Sequence, residues 1–307
     1  MPARMVILVG PTASGKTDVA HILARRLRLA ILSADSMMIY RGMNIGTAKP
    51  SSAELEAFQY AGIDLVDPDQ EFSAHAYWAA VAPEISPPKR RLVVGGTGLY
   101  LRALLGGLDD SAGANTAWRE EAEALLEREG FDALKTWCRK RRPEIDRELP
   151  AGDLGNPRRW IRAVERERPV VSKRMTTLAD DVRIFGLRRD REDLSRRIRL
   201  RVEAMFAAGL VEEVAHLRST YATLSSTAAR AIGYAEAMAV LDGTASRDEA
   251  MERTATRTRH YAKRQMTWFR HQLPVTWVDV REDDDAESIA SHVAEGLSGT
   301  PGEPSDS

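Results

Sequence analysis

Residues Gly10-Pro11-Thr12-Ala13-Ser14-Gly15-Lys16-Thr17 spell G-x-x-x-x-G-K-[ST]. This spacing makes a phosphate-binding loop. Its glycines let backbone N–H groups turn inward around phosphate oxygens, and the helix that follows adds its N-terminal dipole. Lys16 adds a full charge, and the Thr17 hydroxyl is the group that reaches Mg²⁺, which is therefore the expected cofactor. The motif requires a strand before it and a helix after it. Met5-Val6-Ile7-Leu8-Val9 supplies an apolar strand candidate, and residues 16–29 carry a helical pattern.

Two further segments could do chemistry. Asp35 stands at the end of a second strand candidate, residues 30–33, beside the phosphate loop. A carboxylate there can accept a proton or hold Mg²⁺ through water. Its structural alternative is an Asx cap on the strand end. Val93-Val94-Gly95-Gly96-Thr97-Gly98-Leu99-Tyr100 is another strand–glycine–helix unit, a ligand loop or a plain turn. That strand lacks the Asp with which most phosphate-loop ATPases hold Mg²⁺, which counts against a standard ATPase.

Basic residues gather on three helix patterns. In 190–208 an apolar stripe (Leu194, Ile198, Val202, Met205, Phe206) leaves Arg201 at its edge, with Arg197 one turn earlier. In 247–270, Met251, Ala255, Ala262 and Phe269 form one face. Arg253, Arg257, His260 and Arg264 form the other, beside Tyr261 and Trp268. Basic residues flanked by aromatics suit an RNA backbone and unstacked bases, although a solvated face looks the same. In 157–165, Trp160, Ile161 and Val164 face inward and Arg158, Arg159 and Arg162 outward, with Asn156 as N-cap and Pro157 in the first turn.

The positioning elements follow. Strands at 5–9, 30–33 and 91–94 alternate with helices at 16–29, 73–85 and 98–105, which implies a parallel sheet with crossover helices. Ligands bind at the C-terminal strand ends of such sheets, where the polar loop 35–50 lies. Residues 109–180 read as helices only (116–128, 131–141, 157–168). A strand returns at 182–187, helices follow at 190–208, 227–241 and 247–270, and 274–280 is a last strand candidate. The expected fold is α/β: a P-loop NTPase-like parallel sheet core with an inserted helical domain. Its expected parts are core 1–108, helical insertion 109–180, core 181–280, and an acidic, partly disordered C-terminal tail 281–307.

Composition narrows the class. Cys138 is the sole cysteine among 307 residues, so an intrachain disulfide is impossible and a cysteine zinc site implausible. No apolar run approaches the ~20 residues of a membrane span. A cytoplasmic protein with no membrane partner is expected. The net charge of −1 hides a tail, 279–307, with nine acidic residues against Arg281, so residues 1–278 carry +7. A positive body is compatible with a nucleic-acid partner.

Taken together, these segments resemble bacterial tRNA dimethylallyltransferases, also called tRNA isopentenyltransferases. The resemblance rests on residues 10–17, on Asp35-Ser36 through Gly46-Thr47-Ala48-Lys49-Pro50, and on Gly95-Gly96-Thr97-Gly98-Leu99-Tyr100. It continues through Arg158-Arg159, Arg162-Ala163, Arg230-Ala231-Ile232-Gly233-Tyr234, Ala255-Thr256-Arg257, Ala262-Lys263-Arg264-Gln265 and Thr267-Trp268. The phosphate loop is generic; 35–50 and 263–268 are specific. The family moves a dimethylallyl group from its diphosphate to N6 of adenosine 37, beside the anticodon of tRNAs reading codons that begin with U. The resemblance therefore implies that residues 10–17 hold a diphosphate leaving group. Lys16, Thr12, Arg201 and Mg²⁺ on Thr17 would stabilise its oxygens, and Asp35 would take the amine proton. It further implies tRNA contact by Asp35, Ser36, Met37, Met38, Thr97, Arg119, Arg158, Arg159, Trp160, Ile161, Arg162, Arg230, Gly233 and Tyr234. Arg257 and Arg264 join them from the basic helix. The partners would be a tRNA anticodon stem-loop and dimethylallyl diphosphate, with the protein acting as a monomer.

The sequence departs from the family pattern in one four-residue stretch and at three single positions. Tyr60-Ala61-Gly62-Ile63 stands where paired histidines are usual, Met38 where Gln is frequent, Asn156 where Asp is common, and Ala235 where a basic residue follows Gly-Tyr. None is a catalytic group. Rival readings are an adenylate isopentenyltransferase acting on a free nucleotide, a small-molecule kinase, and an RNA-binding module without chemistry. A mononucleotide needs neither the insertion nor the basic helix, and Asp35 beside the loop speaks against the non-catalytic module.

Overall fold

Five short apolar segments form one parallel sheet. In the computed structural model, which describes residues 3–106, 116–149, 151–165, 178–179 and 181–298, these are β1 (Met5–Val9), β2 (Ala30–Ala34), β3 (Arg91–Gly95), β4 (Val182–Arg189) and β5 (Thr276–Val280). Their order is β2-β3-β1-β4-β5, every pair parallel. Central β1 is buried along its whole length, which is why it is a continuous apolar run rather than an alternating one. Parallel pairing of β3 with both β1 and β2 brings the C-terminal ends of these three strands to one edge, and the phosphate loop, Asp35 and Gly95 emerge there together.

The chain divides into two compact units. One takes residues 1–107 and 174–307, the other 108–173. In the first, helix Lys16–Leu27 packs Val19 and Leu23 against Val6 and Leu8 of β1 and Leu92 of β3. It ends at Arg28, whose left-handed backbone (φ 51°) turns the chain into β2. The second unit holds helices Thr116–Glu129, Phe131–Arg141, Ile145–Glu148 and Pro157–Glu165, and no strand among its described residues. Its own core joins Ala122, Leu134, Cys138, Ile145, Trp160, Ile161 and Val164.

Three expectations need correction. Residues 286–298 of the supposed tail form a helix, Ala286–Ser298, that packs Ile289, Ala290 and Val293 into the main core. Those residues recur at helical spacing, but the surrounding acids masked the stripe. The expected helix 227–241 is two helices, Ser226–Ala229 and Tyr234–Leu241. Gly233 breaks it with φ 92°, a conformation that favours glycine. On helix Arg247–Gln272, Met251 is only half-buried, and the buried face is Ala250, Thr254, Ala255, Ala262, Gln265 and Phe269. Helices Ser52–Ala57 and Leu210–Thr220 were not foreseen; the first buries no residue and so leaves no apolar stripe in the sequence. Among the described residues, no helix is long and apolar enough to cross a membrane.

Candidate active site

The phosphate loop is held by arginines from behind. Gly15 has φ 90° and Ala13 φ 64°, which curls the backbone into a cradle. The carbonyls that point away from it are capped: Arg197 Nε donates to Ala13 O at 2.9 Å, and Arg189 Nε donates to Ser14 O at 3.0 Å. Arg189 is itself pinned by a buried ion pair with Asp193, 2.9 Å. Ser14 is fully buried, and its Oγ has no protein partner. The Lys16 ammonium donates to Pro11 O at 2.8 Å. Burial, then the nearby Arg201 charge, push Lys16 down to about 7, against an opposing pull from Asp35. A group so placed gains its full charge when an anion arrives.

Asp35 leaves β2 half-buried beside that lysine. Its Oδ1 accepts from Met37 N at 2.8 Å, so the Asx-turn alternative holds for one oxygen. The carboxylate nonetheless lines two cavities. A small one of about 80 Å³ is bordered by Lys16, Thr17, Gly95, Gly96 and Tyr60. A larger one of about 310 Å³ has an apolar wall of Ile198, Val202, Met205 and Ile232. Thr12, Asp35, Arg201 and Tyr261 border both. Arg201, from helix Arg191–Ala207, donates to Thr47 O at 3.3 Å, and burial lowers its pKa from the ordinary guanidinium value while Asp35 opposes the shift.

The loop 35–50 is braced at both ends. Thr97 Oγ1 accepts from Ser36 N at 2.9 Å and donates to Ser36 Oγ at 3.2 Å. Lys49, almost wholly buried, donates to Tyr40 O at 2.8 Å and pairs with Asp64 at 2.6 Å. Glu213 was missed by the sequence. Its carboxylate accepts from Asn44 N and Ile45 N at 3.0 and 2.9 Å and from Tyr234 Oη at 2.6 Å. Gly46 packs so closely under the Tyr234 ring that a Cβ would lie 2.4 Å from it. Gln265, part of the specific run 263–268 but given no role by the sequence, accepts from Thr12 N at 2.9 Å and donates to Gly96 O at 3.1 Å.

The residues expected to touch tRNA separate by burial. Arg158, Arg159, Arg162, Arg230 and Arg264 are exposed. Met37 and Met38 are half-buried, Met38 Sδ accepting from Ser33 Oγ. Arg119 and Arg257 are tied into ion pairs, with Glu165 and Glu236 respectively. Trp160 and Ile161 are core residues of the insertion, 1% and 5% exposed, with Trp160 Nε1 donating to Leu154 O. Tyr234 is fully buried as the brace on Glu213, and Gly233 shapes the helix break. Trp160 and Ile161 thus pack inward, Tyr234 also lines the larger cavity, and the exposed charge at these positions is carried by the arginines. Asn156 Oδ1 accepts from Arg158 N at 3.1 Å, the N-cap that the sequence implied.

A divalent cation fits this cradle in one way. β3 ends in Gly95 rather than a carboxylate, and no cluster of three metal-ligating side chains occurs among the described residues. Thr17, whose hydroxyl lies on the small cavity, is the residue that would hold such an ion and would leave most of its oxygen ligands to a bound diphosphate and water.

A phosphate loop whose neighbouring strand β3 ends in glycine, with a carboxylate from the end of β2 in the same cavity, defines a P-loop-type α/β transferase. The family model for IPP transferase matches residues 38–272, and that for isopentenyl transferase matches residues 3–64. The chain belongs to the IPP transferase family. It is 41% identical to tRNA dimethylallyltransferase 2 of Geotalea uraniireducens over 95% of this chain and 96% of that protein. Identity to the tRNA dimethylallyltransferase of Bacillus subtilis is 38%, over 94% and 96% of the two chains. Among solved structures, the tRNA isopentenylpyrophosphate transferase of Bacillus halodurans matches with a TM-score of 0.68 and 33% identity, covering 96% of this chain and 97% of that one. A eukaryotic dimethylallyltransferase acting on tRNA shares the fold, with a TM-score of 0.77 at 23% identity.

Proposed function

We propose that the protein transfers the dimethylallyl group of dimethylallyl diphosphate to N6 of adenosine 37, beside the anticodon of tRNAs reading codons that begin with U. The observation that carries this reading is the meeting of the two cavities at Asp35 and Arg201, next to Lys16. The diphosphate lies in the cradle of residues 10–17. The donor C1–O bond breaks, the N6–C1 bond forms, and the N6 proton passes to the free oxygen of Asp35. An exocyclic adenine amine is a poor nucleophile, so a base beside it matters. Lys16 and Arg201 face the oxygens on which charge develops. Mg²⁺ held by Thr17 would supply further positive charge to the leaving group. The target adenosine leaves its stack to reach so enclosed a carboxylate. The exposed arginines of helix Pro157–Glu165 suit the phosphates of an anticodon arm. The place of action is the cytoplasm, where such a tRNA is found, and the protein acts as a monomer.

The test offers labelled dimethylallyl diphosphate and Mg²⁺ with unmodified tRNA, AMP or no acceptor. Label in tRNA alone is expected. Label in AMP but not in tRNA would overturn the reading in favour of a free-nucleotide acceptor, and phosphate transfer from ATP without prenyl transfer would favour a kinase.

A further inference from the structure

Helix Arg247–Gln272 runs behind both ligand loops, and one side chain joins them. Gln265 is 5% exposed, yet both ends of its amide are used. Oε1 accepts the Thr12 N–H of the phosphate loop, and Nε2 donates to the Gly96 carbonyl after β3. The contact is close enough to dictate the residue opposite: a Cβ on Gly96 would lie 2.0 Å from Nε2. Gly95 in turn presses on the end of β2, where a Cβ would meet Ala34 O at 2.3 Å, and Thr97 N donates to Ala34 O at 3.1 Å. Asp35 is the next residue. A continuous path of packed backbone therefore runs from the loop that holds the leaving group, through the Gln265 amide, to the strand end that holds the base.

We infer that Gln265 is the positioning residue that sets the spacing between donor diphosphate and acceptor base. The inference rests on the transfer reaction proposed above. Displacement at carbon needs the reacting atoms within about 3–3.5 Å and aligned, and a misplacement of about 1 Å costs on the order of a hundredfold. Each substrate has other anchors: the diphosphate has the loop amides and Lys16, and the tRNA has its arginines. Loss of the bridge therefore affects the assembled complex more than either binary one.

Gln265→Met keeps length and shape but makes neither hydrogen bond. With both substrates saturating, kcat is expected to fall by about tenfold or more, while Kd for inorganic diphosphate and for an unmodified anticodon stem-loop stays within about threefold of wild type. Unchanged kcat overturns the inference, as does weakened diphosphate or tRNA binding with kcat preserved. If Gln265→Met does not fold, Gly96→Ala probes the same contact from the loop side and should lower kcat alike. In a Gln265→Ala background, adding Gly96→Ala should cost nothing more; fully additive losses would contradict a shared contact. Absence of prenyl transfer by the wild-type protein would instead defeat the reaction itself, so the two failures are distinct.

Discussion

Lys16 gives the sharpest quantitative prediction. Burial and Arg201 lower it to about 7, so the ligand-free site holds its proton only half the time at neutral pH. A bound diphosphate requires the ammonium form. If binding selects that form, affinity follows the protonated fraction: about 0.9 at pH 6, 0.5 at pH 7 and 0.1 at pH 8. Between pH 6 and 8 the Kd for a non-reactive dimethylallyl diphosphate analogue should therefore weaken about tenfold, roughly 1.4 kcal/mol. Titration calorimetry in buffers of different ionisation enthalpy would also count protons, with uptake near 0.1 at pH 6 and near 0.9 at pH 8. Lys16→Arg, always charged, should bind with little slope and take up no proton. The sign for folding is separate. The folded-state pKa lies below the unfolded value of 10.5, so the unfolded chain binds more protons between about 7 and 10.5. In that window this group makes ligand-free stability rise with pH, while ligand affinity falls. A Kd that is flat from pH 6 to 8, with no proton uptake at pH 8, would mean that Lys16 is already charged in the ligand-free site, contrary to this prediction.

Other perturbations separate site, surface and core. Arg158→Ala should weaken tRNA binding and reduce its log–log salt slope by about 0.9, as measured by filter binding across salt, because one phosphate contact is lost. Trp160→Ala should destabilise the insertion by about 3–5 kcal/mol in a denaturant titration, since Trp160 is core and not surface. Ile289→Ala should cost about 2–5 kcal/mol in main-unit stability and leave the kcat of the folded enzyme unchanged, because helix Ala286–Ser298 packs on the core side of helix Lys16–Leu27 and borders neither cavity.

The legible part of the molecule was local. Residues 10–17 announce their loop because the motif itself sets the backbone, and β1, β3 and β4 announce themselves as short apolar runs. Arg201 was placed at the margin of a stripe by helical periodicity alone, and it lines both cavities. What escaped was tertiary. Gln265 stands in a recognisable run, but its role shows only when Thr12 and Gly96, more than 160 positions away, fold against it. Glu213 reads as a solvated acid until three backbone N–H groups and Tyr234 close on it. The acidic run hid helix Ala286–Ser298 for a related reason: charge composition describes the exposed face, whereas burial depends on the few apolar residues between. Trp160 and Tyr234 were recognised through their motifs, but their burial was not legible there: Trp160 fills the core of the insertion, and Tyr234 holds Glu213 while also lining the larger cavity.

Unmodified tRNA should be incubated with dimethylallyl diphosphate, Mg²⁺ and either wild-type protein or Asp35→Asn, then digested and its nucleosides mapped by mass spectrometry. Wild type should add one dimethylallyl group to N6 of the adenosine beside the anticodon. Asp35→Asn should do so about 10²–10⁴ more slowly while binding tRNA nearly as well. Modification at another atom or position, or an undiminished rate for Asp35→Asn, would contradict the roles given to the two cavities and the carboxylate between them.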